Sequence, residues 1–172
     1  NEEAGFFPVV LFPLDELQIL AYNRIVYEAP IYFMDELKKR FTLYQNASPI
    51  PKNKSEIRLY IDGKWMGLDL PESARNDAAS QLDISRLQEF ILEPLLGITD
   101  QRTDKNISFV GGIQSPKKLQ QIVDDGDAAF AISMYPTSIE ELVDVSDAGQ
   151  LMPPKSTWFE PKLRSGLLIH TF

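Results

Sequence analysis

The chain is 172 residues long, 44% hydrophobic and 24% charged, with a formal net charge of −8, no cysteine and a single histidine, His170. That balance suits one globular core rather than disorder, and it excludes a disulfide framework, thiolate chemistry and an ordinary zinc site. The acidic excess disfavours a generic nucleic-acid binder, whose affinity comes from lysines and arginines displacing phosphate counterions, and no apolar run approaches the roughly 18 to 20 residues that span a bilayer.

In chain order, the N-terminal NEEAGFF lacks the basic flank and apolar stretch of a signal peptide, so a cytoplasmic protein is expected. The first residue is Asn1 rather than methionine, and the chain is read as part of a longer protein. FFPVVLFPLDELQILAYNRIVYEAP predicts strands over 7–12 and 17–27, joined by a Pro/Asp turn, because β-branched and aromatic residues dominate both. Asn23 and Arg24 interrupt the second strand. Alternation would put them on an outward face, whereas an arginine also suits bidentate recognition of phosphate or carboxylate. A helix over 31–40 follows, with Phe33 and Leu37 on one face, and then a flexible loop over 47–55.

EIRLYIDGKWMGLDL carries the strongest local signal, since Asp62-Gly63 suits a two-residue turn that needs positive φ. That turn sets Leu59 opposite Met66 and Ile57 opposite Leu68, on the side of Ile61 and Leu70, and pairs Tyr60 with Trp65 on the other side. Beyond a polar linker over 74–80, Asp83 can cap a helix on which Leu87, Phe90, Ile91 and Leu95 recur at three and four residues, ending near Pro94 and Gly97. ISFVGGIQSPKKLQQIVDDGDAAFAISM predicts a strand over 107–110, a helix capped by Ser115 with Pro116 at its first position, and a strand over 129–134 joined by a right-handed parallel crossover. Thr137 and Glu140 match a capping box for a helix to about 145, and a last strand is expected over 166–172. The whole, residues 1–172, is expected to form a single α/β domain: a mixed sheet with hairpins and about four helices packed against it.

Four stretches can carry chemistry. In PPKST, residues 153–157, Lys155 beside the hydroxyls of Ser156 and Thr157 in a proline-stiffened loop can grip a phosphate or carboxylate, and a concave surface is expected there. The loop is not a nucleotide P-loop, because the glycines that wrap phosphates are absent. Gly111 and Gly112 lie between a strand end and a helix start, where anions bind in α/β proteins, although without a fuller glycine fingerprint a tight turn is the simpler reading. Asp100, among the mixed charges of GITDQRTDK, is a weaker candidate. Asp144 and Asp147 can share a cation, but solvation at a helix end is the simpler reading; His170 reads as structural, and no metal site is expected.

Three segments, LQILAYNRIV, LDISRLQEFILEPLLGITDQRTDKNISFVGG and DVSDAGQLMPPKSTWFEPKLRSGLLIH, together resemble the C-terminal half of the bacterial proteins grouped as domain of unknown function 1015. The resemblance implies an upstream half with an Ala-Asp-Gly-His-His-Arg type segment, similar to one in the ParB-like superfamily, whose relatives include nucleotide-using free-serine kinases. It also implies that the partner of this chain is that N-terminal half of its own parent, and that nucleotide with magnesium binds only to the full-length protein. Where the family often has Pro-Thr-His-Arg this chain has Ala21-Tyr22-Asn23-Arg24, so only the arginine carries over. Three readings follow: the anion-binding half of a small-metabolite phosphotransferase, inactive by itself, with Arg24, Lys155, Ser156 and Thr157 holding the anion; a binding or scaffold module without chemistry; or a ParB-like regulator, which the net charge disfavours.

Overall fold

The Asp62-Gly63 turn forms with both residues at positive φ, 50° and 72°. It joins β4 (Glu56–Ile61) to β5 (Lys64–Asp69), with Leu59 opposite Met66, Ile57 opposite Leu68 and Tyr60 opposite Trp65, as the alternation requires. The computed structural model describes residues 2–164, 166 and 169–171. Around this hairpin is a six-stranded sheet that also contains β2 (Tyr22–Val26), β3 (Tyr44–Gln45), β6 (Ile107–Gly111) and β7 (Phe130–Met134), in the order β3-β5-β4-β7-β2-β6. A second, two-stranded sheet pairs β1 (Gln18–Leu20) with β8 (Trp158–Glu160). Every ladder is antiparallel. The fold is mixed α/β.

Both faces of the large sheet are covered. On one face, Phe33 and Leu37 of α1 (Phe33–Arg40) and Leu87, Ile91, Leu92 and Leu95 of the 83–96 helical rod pack on Val26, Ile57, Leu59, Phe130 and Ile132. On the other, Leu119 of α4 (Pro116–Asp124) packs on Ile25, Tyr60, Trp65 and Ala131. α5 (Ile139–Asp147) sends Val145 against Leu82 and Ile84, with Ala78 and Ala79 of the polar linker beside them. Strand β2 is therefore interior to two layers, and the outward face expected for Asn23 and Arg24 does not exist: Asn23 is 6% and Arg24 1% exposed.

Several local expectations shift. Residues 7–12 form no strand, and Phe7, Val9 and Leu11 stand exposed, because β propensity without a ladder partner does not make a sheet. The crossover strands β6 and β7 run in the same direction, but β2 lies between them and pairs antiparallel with each, so they are not neighbours. The capping box sits one residue later, on Ser138 and Glu141. Ser115 precedes α4 with Pro116 first, yet its side chain makes no capping bond. The strand expected over 166–172 is not formed at Gly166 or at residues 169–171, while Leu167, Leu168 and Phe172 lie outside the described residues.

The helix predicted from Asp83 is a rod in three parts: α2 (Asp83–Leu87), a π turn (Gln88–Leu92) and α3 (Glu93–Leu96), closed by left-handed Gly97. Pro94 has no N–H to donate, and its ring crowds the carbonyl one turn earlier; the wider turn absorbs the misfit. Asp83 does not cap this rod, since Leu82 holds the cap position. Its carboxylate instead accepts the Ser55 N–H at 2.7 Å and the Arg86 guanidinium at 3.2 Å. Arg86, 3% exposed, also donates to the carbonyls of Leu70 and Pro71 and to Ser55 Oγ, so one buried side chain ties α2 to the end of β5 and to the loop before β4.

At the start of β4, Glu56 accepts from the Lys52 N–H (2.9 Å), from Asn53 Nδ2 (2.7 Å) and from Arg58. These bonds, the Lys52 N–H first, hold its carboxyl down to about 2. A folded-state value below the unfolded one gives stability that is present above the ordinary carboxylate range and lost as pH falls through about 2. Glu56→Gln is therefore expected to flatten the fall of the urea midpoint between pH 4.5 and about 2. An unchanged acid limb would show that Glu56 does not carry this pH dependence.

Candidate functional site

Three stretches far apart in sequence meet at one end of β2. The β2–β6 register sets Tyr22 opposite Gly111, and the β1–β8 register sets Leu20 opposite Trp158. The Trp158 indole then lies over Gly111, where a Cβ would come within 2.1 Å of the ring. A Cβ on Gly112 would come within 2.4 Å of the Ala21 carbonyl. Both glycines thus permit close approach of neighbouring groups. Tyr22 meets Trp158 edge-on at 5.2 Å and Phe109 at 6.4 Å, which makes an aromatic floor under the tail.

Arg24 holds the tail from beneath. Its nitrogens donate to the Tyr22 carbonyl, to Gln101 Oε1 (3.3 Å) and to the Lys155 carbonyl (3.2 Å), and the guanidinium lies 5.4 Å from the Phe109 ring centroid. All three acceptors are neutral, and among the described residues Arg24 is in no ion pair. Burial pulls its pKa down to about 9, which leaves it protonated at neutral pH. Gln101 is itself held by Gln88 of the π turn at 3.0 Å, so Arg24 is fixed from the helical rod as well as from the strand.

The PPKST loop is tied down by its own polar groups. Ser156 Oγ donates to the Pro153 carbonyl at 2.6 Å, and the Ser156 carbonyl accepts from Thr137 Oγ1 at 3.1 Å. Lys155 takes a left-handed φ of 57°, a strained state for a side-chain-bearing residue, and its exposed ammonium lies 5.4 Å from the Tyr22 ring centroid. Ser156 is thus turned inward. Lys155 and the half-buried Thr157 are the groups left at the surface. Lys162, which sequence reasoning missed, lies 3.7 Å from the Trp158 ring centroid.

Beside this corner runs an open groove of about 1020 Å³, lined by Gln88, Gln101, Pro153 and Pro154. Its remaining charged lining is Arg75 with Asp77, Glu89, Glu93 and Asp100, so its interior is acidic. Lys155 and Thr157, expected in a concave surface, do not line this groove: its lining reaches Pro154 and stops short of both. Asp100 is half-exposed and paired with Arg102, whose side-chain bonds hold the carboxyl below its ordinary value.

Residues 1–85 match the model of a family described as protein of unknown function (DUF1015). The later segments of the sequence resemblance, from residue 86 onward, fall beyond that match. No curated protein matches the chain. Among solved structures it is similar in fold to a conserved hypothetical protein from Pyrococcus furiosus, at 13% identity and a TM-score of 0.53, over 84% of this chain and 56% of that one. It is also similar to free serine kinase in complex with AMP, at 10% identity and a TM-score of 0.49, over 85% of this chain and 55% of that one. The chain spans about half the length of these solved structures.

Proposed function

We propose that this chain is the anion-holding part of a small-metabolite phosphotransferase, with Lys155 and Thr157 facing the ligand and Arg24 positioning them. The observation that carries the reading is the pairing of a buried, uncompensated guanidinium with the strained backbone of Lys155. On a protein of net charge −8, the Arg24 guanidinium binds the Lys155 carbonyl, and neither side chain is in an ion pair among the described residues. Phosphoryl transfer depends chiefly on positioning and charge neutralisation, so such groups matter without acting as bases. The reaction class comes from the sequence resemblance, which also puts the reacting groups in an upstream half of the parent protein, the partner of this chain.

Lys155 fits the phosphates of a nucleotide. Among the described residues there is no group of three or more carboxylates or histidines that could hold a metal ion. A scaffold reading is favoured by one observation: Ser156, Gly111 and Gly112 all serve packing. The two readings separate in a thermal-shift titration with inorganic phosphate. Phosphate is expected to raise the melting temperature of the wild-type chain and to lose that effect in Lys155→Ala, while Lys64→Ala, on the distant hairpin, responds like wild type. Equal responses in wild type and Lys155→Ala would leave the loop a structural element.

A further inference from the structure

The tail brings a second ammonium to the same corner. Lys155 lies on the Tyr22 ring and Lys162 on the Trp158 ring, at 5.4 and 3.7 Å from the centroids, and the two rings touch edge-on at 5.2 Å. A cation over an aromatic face is held in place without losing its charge. Neither lysine is in an ion pair among the described residues. The rings are themselves fixed: Trp158 rests on Gly111 and donates its indole N–H to Glu160 at 2.6 Å, and Tyr22 belongs to β2. Two exposed ammonium groups therefore bracket one rigid aromatic pair.

Resting on the reading that Lys155 holds an anion, we propose that Lys162 is the second cation of that site. Its ligand then carries two linked anionic groups, one held at each lysine. A single phosphate can engage one ammonium at a time, whereas a linked pair engages both and gains the second contact without a second loss of translational freedom. Glu160, whose carboxylate sits at the edge of the Trp158 ring, opposes the second anion and sets how strongly it is held.

The test is calorimetric titration of the chain with inorganic phosphate, pyrophosphate and succinate. Wild type is expected to bind pyrophosphate at least ten-fold more tightly than phosphate. Lys162→Ala is expected to bring pyrophosphate affinity down to that of phosphate, Lys162→Arg to keep the preference, and Glu160→Gln to enlarge it. Succinate binding that also depends on Lys162 would support the two-anion site and extend it to dicarboxylates; binding of pyrophosphate alone would restrict it to linked phosphates. If Lys155→Ala abolishes phosphate binding but Lys162→Ala keeps the full preference for pyrophosphate, the inference fails and the anion reading stands. If no anion binds at Lys155, both fall.

Discussion

Arg86→Ala is expected to cost about 3–5 kcal/mol of folding stability, because it strands a buried carboxylate and removes several hydrogen bonds at once. The Leu70 and Pro71 carbonyls lose their donor, and Asp83 keeps only the Ser55 N–H. Urea unfolding of the variant against wild type measures the loss. Its pH dependence identifies the cause. Burial already raises the Asp83 pKa, and removal of the guanidinium raises it further. A carboxyl whose folded value lies above its unfolded value adds stability that is complete below the unfolded value and is lost as pH rises through the folded one. The deficit of Arg86→Ala should therefore shrink as the pH is lowered from neutrality toward the ordinary aspartate range. A deficit independent of pH would assign the loss to the carbonyl bonds alone.

Gly111→Ala should disable the proposed anion site without touching a charged group. Its Cβ would fall 2.1, 2.3 and 2.6 Å from three atoms of the Trp158 ring, so the indole has to leave. Trp158 pairs with Leu20 in the two-stranded sheet, meets Tyr22 edge-on and carries Lys162, and displacing it loosens all three contacts. Overpacking of this kind costs about 1–3 kcal/mol. The expected signature is a red shift of Trp158 emission, resolved in a Trp65→Phe background, together with loss of phosphate binding. Gly5→Ala, whose Cβ meets nothing within 4 Å, serves as the control. Retained phosphate affinity in Gly111→Ala would separate Lys155 from the aromatic floor.

Where the determinants were local, the sequence was readable. The Asp62-Gly63 turn, the facing pairs of its strands, the start of α4 at Pro116 and the left-handed stop at Gly97 each depend on a few adjacent residues. The capping box shows the limit. Thr137/Glu140 and Ser138/Glu141 are overlapping frames of equal merit, and the later one forms while the Thr137 hydroxyl bonds Ser156, a contact between distant residues. Residues 7–12 have strand composition and no strand, because pairing requires a partner that composition does not specify.

The site divides in the same way. Side-chain chemistry points to Lys155 and Arg24 separately, and the structure brings them together through the Lys155 carbonyl, a contact no side-chain argument anticipates. Gly111 and Gly112 make room for an indole and a carbonyl, a role that their place between strand and helix does not reveal. Lys162 and Gln101 gave no signal, since each acquires its place only when the tail crosses β2.

The position of β2 between β6 and β7 also sets an order of events during synthesis. The strand Tyr22–Val26 leaves the ribosome before either neighbour, and those neighbours end at Gly111 and Met134. At roughly 5 to 20 residues per second, β2 waits on the order of ten seconds for its second edge, while the β4–β5 hairpin can close within microseconds of its own emergence. During that interval Ile25 and Val26 have no ladder partner from β6 or β7. Nascent chains arrested before residue 107 should therefore engage chaperones that recognise apolar extended segments, and chains arrested far enough beyond residue 134 for β7 to emerge should release them.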